Sequence, residues 1–226
     1  MNHFTILMHL LRDRQNFLEE VSKGIRLEKK IVSLLIISSL FFALYGAIIG
    51  STTVPMQIFA SAFKLPALYL ITMAICLPTL YFSEAISGSK RTFGQYLALL
   101  LASMALIGVM LFSFAPITLF FRLSIDDYQF FKLLNVAVFT ITGLIGVNNF
   151  YQSAKFLNDK DSEITKNRTN LIQYWLVLYG FVGSQLGWIL RPFFGSPERP
   201  FELFRKLESN FYVHIWQVIT GALGLS

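Results

Sequence analysis

The sequence has few of the residues from which catalytic and metal sites are usually built. It contains one cysteine, Cys76, and three histidines, His3, His9 and His214. A single cysteine excludes an intrachain disulfide and is interpreted as a packing residue. Two histidines lie near the N-terminus and the third follows the last long apolar run, so no zinc set is expected. Glycine-rich phosphate loops and serine nucleophile elbows are also missing. We therefore expect a non-enzymatic protein with no catalytic residues, no cofactor and no metal.

Charged residues are scarce as well. Asp, Glu, Lys and Arg make up 14% of the 226 residues, whereas hydrophobic residues make up 54%. The stretch Ile31–Gly50 has no charged residue and no histidine. In a helix, about 20 residues cross the roughly 30 Å hydrocarbon core of a bilayer. The net charge of +6 is spread over short segments between apolar runs, which argues against nucleic-acid binding. The composition predicts an integral membrane protein.

Five apolar stretches have the length of membrane-spanning helices. We predict an all-α fold, an integral membrane helical bundle with five transmembrane helices over residues 31–190. Prolines should kink or stop the second and third helices, and Pro116 is expected to end the third span. The polar stretch Lys155–Asn170 is interpreted as a solvated loop. The predicted spans are Ile31–Gly50, Leu65–Ser83, Phe93–Phe121, Leu133–Ala154 and Ile172–Leu190.

Residues 1–30 have the pattern of an amphipathic interfacial helix. Apolar side chains recur at three- and four-residue spacing, with charged residues on the other faces. Such a helix either lies on the membrane surface or packs against the protein's own loops. A basic collar of Arg26, Lys29 and Lys30 precedes the first span, and we expect it to contact anionic lipid headgroups. The recurring apolar residues are Phe4, Leu7, Met8, Leu11, Leu18, Val21 and Ile25.

Basic residues are distributed unevenly between the two predicted sides of the membrane. Twelve of the 19 Lys and Arg residues fall on the side of the N-terminus and seven on the other. The positive-inside rule therefore predicts a cytoplasmic N-terminus. The first 30 residues carry mixed charges and lack the apolar core of a signal peptide, so we expect this segment to remain uncleaved.

Two glycine pairs inside the spans are candidates for helix packing. Gly46 and Gly50 are four residues apart, as are Gly183 and Gly187. This spacing places both glycines of a pair on one helix face, where the backbones of two helices approach closely. The contact is expected within one chain or at a homo-oligomer seam.

Three amide side chains inside the spans are candidate intramembrane polar contacts. They are Asn135, Asn148 and Gln185. An unpaired amide in hydrocarbon is costly. These side chains are therefore expected either to form hydrogen bonds between helices or to line a polar path.

The segment 191–226 is expected to lie at the outer interface. Between residues 191 and 204, three prolines and a glycine prevent a continuous helix, and phenylalanines alternate with charged residues. The segment is interpreted either as a docking surface for a lipid or partner protein or as a lid over the bundle's own end. The shorter apolar stretch Phe211–Leu225 is expected to be interfacial or re-entrant. The candidate docking residues are Arg191, Phe193, Phe194, Phe201 and Phe204.

Several short motifs carry a resemblance to known proteins. After the basic collar they are LFFALYG at 40–46, AFKLP at 62–66, GLIG at 143–146, VGSQLGW at 182–188 and RPFFGSP at 191–197. Together they resemble a group of bacterial, notably cyanobacterial, integral membrane proteins, which is itself similar to the Ypt/Rab-interacting (Yip-type) five-span membrane proteins. The resemblance implies five spans, a cytoplasmic N-terminus and a trafficking or scaffolding role. It brings no established functional residues.

The sequence leaves two function classes open. We expect a membrane scaffold or adaptor of a bacterial inner or thylakoid membrane that engages lipids, an unknown membrane protein partner or a second copy of itself. The alternative is an oligomeric channel, transporter or membrane-perturbing effector with a path lined by Asn135, Asn148 and Gln185. Amides paired inside one protomer would argue against that alternative.

Overall fold

The fold is known from a computed structural model that describes residues 2–52, 54–125, 127–160, 166–195 and 201–204. All regular secondary structure in these residues is helical, which confirms the predicted all-α class. The predicted segment Phe211–Leu225 lies outside the described residues. The helices are α1 His3–Arg12, α2 Arg14–Ser22, α3 Leu27–Gly50, α4 Pro55–Ile86, α5 Phe93–Ser124, α6 Tyr128–Lys160 and α7 Lys166–Ile189.

Local sequence signals explain where several helices begin. Asp13 separates α1 from α2, and its carboxylate accepts a hydrogen bond from the Asn16 amide at 3.2 Å. Pro55 occupies the first turn of α4, where its missing amide proton leaves no helical hydrogen bond unmade. Thr92 and Gln95 form a reciprocal capping box at the start of α5. The single N-terminal helix predicted from the pattern is therefore two helices.

Among the described residues, four helices are long and apolar enough to cross a membrane, not the five predicted. They are α3, α4, α5 and α6, with mean hydropathies between 1.8 and 2.5 over their most apolar windows. The predicted fifth span, Ile172–Leu190, coincides with α7 but is not among them. Gln173 and Gln185, together with tyrosines, tryptophans and glycines, dilute the aliphatic residues of α7.

The apolar helices extend beyond the predicted span boundaries. Helix α4 begins at Pro55 rather than Leu65. Helix α5 continues through Pro116, so this proline does not stop the helix. That the membrane span ends there stays a prediction. A proline inside an apolar helix is tolerated where neighbouring helices and local adjustments compensate for the lost hydrogen bond. Helix α6 continues to Lys160, so much of the predicted solvated loop is helical.

The long helices are arranged so that α3 contacts both α4 and α5, α6 packs on α5, and α7 packs on α4. Gly46 and Gly50 make the α3–α4 contact close. A Cβ atom on Gly46 would collide with the carbonyl oxygen of Ser61, and one on Gly50 would lie 2.9 Å from the Ser61 Cβ. The predicted packing role of these two glycines is confirmed, within one chain. Helices α6 and α7 therefore form the two flanks of the bundle and barely meet.

The N-terminal helices pack on one end of this bundle. Leu7, Leu18 and Val21 are buried in the common core, whereas Phe4 and Leu11 remain exposed. Most of the apolar face of the amphipathic segment therefore packs against the protein itself, which is the second of the two predicted alternatives. The contacts include helices α3, α5 and α6.

Candidate functional site

A large groove lies between the two flanking helices of the described residues. Helices α6 and α7 diverge there, and the face of α4 between them forms the floor. The groove has a volume of about 1110 Å³. Its floor is Leu68, Tyr69 and Thr72; its walls include Val136, Phe139, Gly143 and Leu144 from α6 and Tyr179, Gly180, Gly183 and Gly187 from α7.

Glycines in α6 and α7 lack side chains that would otherwise extend into the groove. A Cβ atom built on Gly143, Gly180 or Gly187 meets no described atom within 4 Å. Gly183 makes only an ordinary contact, 3.6 Å to the Thr72 methyl group. Gly187 therefore makes no close packing contact with the described residues, and its role at a homo-oligomer seam stays a prediction. Gly46 allows the backbones of α3 and α4 to approach closely, whereas the space beside Gly187 is not filled by any described atom.

Basic and aromatic side chains lie at one end of the groove, which we call the mouth. It is formed by Tyr128, Lys132, Trp188 and Arg191. The Lys132 ammonium lies 5.9 Å from the centre of the Tyr128 ring, and the Arg191 guanidinium carbon lies 3.4 Å from the centre of the Trp188 ring. These are cation–π contacts, and aromatic residues of this kind are enriched at the headgroup level of membranes.

The outer segment forms a cap across the same end of the bundle. The Gln57 side chain donates hydrogen bonds to the carbonyl oxygens of Pro192 at 3.1 Å and Phe193 at 3.2 Å. Ser61 donates to the Phe193 carbonyl, and Thr52 donates to that of Phe194. The described part of the segment therefore matches the alternative interpretation, a lid on the bundle's own end.

The predicted docking residues fall into two groups. Arg191, Phe193 and Phe194 line the groove at its mouth, and all three are partly buried. Phe201 is partly buried, and Phe204 is exposed with its ring 5.1 Å from the Lys64 ammonium. Neither Phe201 nor Phe204 lines the groove.

The candidate intramembrane amides have three different environments. Asn135 is fully buried; its side-chain oxygen accepts a hydrogen bond from the Tyr45 hydroxyl at 2.8 Å, and its amide nitrogen donates to the Phe131 carbonyl at 2.8 Å. This confirms an interhelical hydrogen bond for Asn135. Asn148 is exposed and Gln185 is half-buried, and neither forms a side-chain hydrogen bond with the described residues. The three amides do not form one polar stripe.

The basic collar is divided by the fold. Arg26 and Lys29 are exposed, and their predicted headgroup contact stays a prediction, whereas Lys30 is only 1% exposed. The Lys30 ammonium donates to the Glu20 carboxylate at 2.6 Å and lies 4.9 Å from the centre of the Phe17 ring. The prediction that Lys30 contacts headgroups is therefore wrong, because α2 folds back over the start of α3. This hydrogen bond and the nearby ammonium hold the pKa of Glu20 below its usual range.

The chain matches no family model, no curated protein and no solved structure. The resemblance to Yip-type membrane proteins therefore stays a prediction. Within the described residues no group of three or more His, Cys, Asp or Glu side chains is placed to hold a metal ion.

Sequence reasoning missed the groove but had signals for it. Lys132 and Arg191 flank two predicted spans, and Gly143, Gly180 and Gly187 interrupt those spans. Small residues in spans indicate packing positions, because periodicity does not show whether a neighbouring helix is present. Lys132 and Tyr128 precede the predicted fourth span and so lie outside the segments in which the sequence indicates polar contacts.

Proposed function

We propose that this protein is a non-enzymatic membrane scaffold that holds a lipid molecule in the groove between α6 and α7. The observation that carries the proposal is the groove itself, which has a mainly apolar lining. Its floor on α4 and its wall on α6 belong to helices that are long and apolar enough to cross a bilayer. In hydrocarbon such a groove is filled by lipid chains, because an empty apolar cleft forfeits dispersion contacts on every side.

The depth of the groove supports a lipid as its occupant. From Lys132 to Leu144 on α6, the lining extends about 18 Å at 1.5 Å per residue. One leaflet contributes about 15 Å of hydrocarbon. The groove therefore has the length of a single acyl chain whose headgroup lies at the mouth.

We also propose that α7 crosses the membrane beside α4, which restores five crossings. Contacts along α4 support this. The Trp175 indole donates to the Cys76 carbonyl at 2.9 Å, Gly183 contacts Thr72, and the residues after α7 reach Gln57. The two helices therefore run antiparallel over most of their lengths, so that a membrane crossed by α4 also encloses α7.

Cysteine labelling on intact cells tests this topology. A membrane-impermeant maleimide is expected to label Leu203→Cys and not Lys90→Cys, because five crossings with a cytoplasmic N-terminus place these exposed positions on opposite sides. Lysed cells provide the control for reactivity of both cysteines. Equal labelling of the two positions on intact cells would contradict the fifth crossing.

Native mass spectrometry of the detergent-extracted protein tests the lipid-binding function. The wild-type chain is expected to retain a lipid, and Gly143→Leu with Gly187→Leu is expected to lose it, because both side chains extend into open space inside the groove. Ser113→Leu adds similar bulk at an exposed position of α5 and serves as the matched control. A wild-type protein without lipid, or equal retention by the groove variant, would reject the function.

The buried side chain of Asn135 does not support the alternative function of a channel or transporter. Asn135 is 0% exposed and paired with Tyr45 inside one protomer, so it opens no path for water. We therefore favour the scaffold.

A further inference from the structure

A second cavity, which we call the polar pocket, lies between α4 and α7. It has a volume of about 440 Å³ and shares no described lining residue with the groove. Thr79 and Ser83, one turn apart on α4, form one wall, and Asn170 and Tyr174, one turn apart on α7, form the other. The remaining described lining residues are Leu171, Trp175 and Leu178.

The polar side chains of the two walls have no hydrogen-bond partner among the described residues. Other hydroxyls in the long helices donate to the carbonyl oxygen four residues earlier, as Thr72 does at 2.6 Å and Ser113 does at 2.9 Å. Thr79 and Ser83 form no such bond through their hydroxyls. A polar group removed from water is costly unless it is hydrogen-bonded, so the walls of this pocket favour a ligand that supplies the missing partners.

The polar pocket lies at the depth where hydrocarbon meets the headgroup layer. Helix α4 has 32 residues, or about 48 Å at 1.5 Å per residue, so a roughly 30 Å hydrocarbon core centred on it leaves about six residues outside at each end. Counted back from Ile86, this boundary falls near Leu80, between the two wall positions of α4. Just beyond this end of α4, a Cβ atom on Gly94 would lie 3.2 Å from the Leu27 side chain at the start of α3. The pocket therefore belongs to the leaflet opposite the mouth of the groove.

The polarity of the pocket decreases toward the middle of the bilayer. Successive turns of α7 contribute an amide from Asn170, a phenol from Tyr174 and an aliphatic side chain from Leu178. The Trp175 indole is already fixed by its hydrogen bond to the Cys76 carbonyl at 2.9 Å. An amphiphile that enters from the headgroup layer therefore meets hydrogen-bonding groups first and an apolar wall next.

We propose that the polar pocket binds the uncharged sugar headgroup of a glycolipid whose acyl chains lie in the adjoining leaflet. Sugar hydroxyls donate and accept hydrogen bonds, as the hydroxyl and amide groups of the two walls do. None of the described lining residues is charged, so none of them offers a phosphate the cation that strong phosphate contacts use. The inference goes beyond the proposed function, because this site is separate from the groove and lies in the other leaflet.

Native mass spectrometry of the full-length protein tests the site. The protein is offered equal concentrations of a monoglucosyl diacylglycerol, phosphatidylglycerol and phosphatidylcholine with identical acyl chains. The detergent is a polyoxyethylene ether, because a maltoside carries a competing sugar headgroup. Gly143→Leu with Gly187→Leu blocks the groove, so that lipid bound to this variant reports on the polar pocket alone. We expect the groove variant to retain the glucosyl lipid in preference to both phospholipids.

Substitutions in the walls of the pocket are then added to the groove variant. Thr79→Val with Ser83→Ala removes two hydroxyls with little change in volume, and neither hydroxyl has a described partner that would be lost. Each hydrogen bond contributes about fivefold, so this pair should lower the share of glucosyl lipid roughly 25-fold, and Asn170→Leu on the other wall should lower it about fivefold. Ser113→Ala with Thr140→Val removes two hydroxyls that bond to their own helices and should keep the preference.

The possible failures separate this site from the groove. Loss of all lipid from the groove variant, equal retention of the three lipids, or an equal loss of preference in the control pair would overturn the glycolipid site. A preference for phosphatidylglycerol that Lys166→Gln abolishes, one turn before Asn170 in α7, would also overturn it and assign the pocket to an anionic headgroup. One lipid more on the wild-type protein than on the groove variant supports the proposed function. Equal numbers reject the groove and leave a glucosyl preference in the polar pocket standing.

Discussion

Replacing Glu20 by glutamine should loosen the N-terminal helices from the bundle. The Lys30 ammonium is almost completely buried, and Glu20 provides its only carboxylate partner among the described residues, at 2.6 Å. Removing one partner of a buried ion pair costs about 3–5 kcal/mol. Glu20 is 30% exposed and glutamine keeps a neutral acceptor, so we expect a loss of about 2 kcal/mol in the free energy of opening.

Hydrogen exchange measures this loss directly. The amides of α2 are expected to exchange roughly 30-fold faster in Glu20→Gln than in the wild-type protein, since each 1.4 kcal/mol corresponds to a factor of about ten. Glu28→Gln removes the same charge from an exposed position at the same end and should leave α2 unchanged. Unchanged exchange in Glu20→Gln, or equal acceleration by Glu28→Gln, would refute a role for the ion pair in holding α2.

The same ion pair predicts a pH dependence. The hydrogen bond from Lys30 lowers the pKa of Glu20 in the folded protein, so folding favours the ionised carboxyl. Its contribution is fully present above the ordinary pKa of 4.5 and disappears as the pH falls through the lower pKa of the folded state. Exchange of α2 should therefore accelerate relative to that of α5 below about pH 4.5 in the wild-type protein. In Glu20→Gln this extra acceleration should be absent.

Two further predictions concern the interior of the bundle. Gly46→Ala should lower the thermal unfolding midpoint in detergent and cost about 1–3 kcal/mol of stability, because the added Cβ atom meets the backbone oxygen of Ser61. Gly143→Ala adds a Cβ atom in open space and should leave the midpoint unchanged. Equal midpoints for the two variants would contradict the close approach of α3 and α4 at Gly46. Tyr45→Phe should cost about 1–3 kcal/mol because it removes the hydroxyl donor to the buried Asn135 oxygen, and an unchanged midpoint would show that this bond contributes nothing.

Much of the bundle is predictable because hydrocarbon imposes a simple rule on composition. The charge-free stretch after Lys30 identifies α3, and similar stretches identify α4, α5 and α6. Helix ends are less predictable, because a helix that leaves the bilayer continues in water until a terminating signal occurs. Helix α4 therefore begins at Pro55, well before the predicted Leu65.

Tertiary contacts set the limit on predicting individual side chains. Lys30 follows Lys29 in sequence, yet one is exposed and the other is buried against Glu20 and Phe17. The difference depends on the reversal of the chain between α2 and α3, where Arg26 adopts a left-handed backbone conformation. A basic collar in the sequence shows charge density but not which charge a neighbouring helix will cover.

The glycines show most clearly why the groove escapes a sequence pattern. Gly46 and Gly187 each belong to a pair with four-residue spacing, and each removes a side chain from a helix face. At Gly46 the α4 backbone fills the vacated space, whereas at Gly187 no described atom does. The difference lies in whether a second helix approaches, and α6 lies too far from α7 to do so. If the proposed function holds, the same small-residue spacing that joins two helices at Gly46 leaves space for an acyl chain at Gly187.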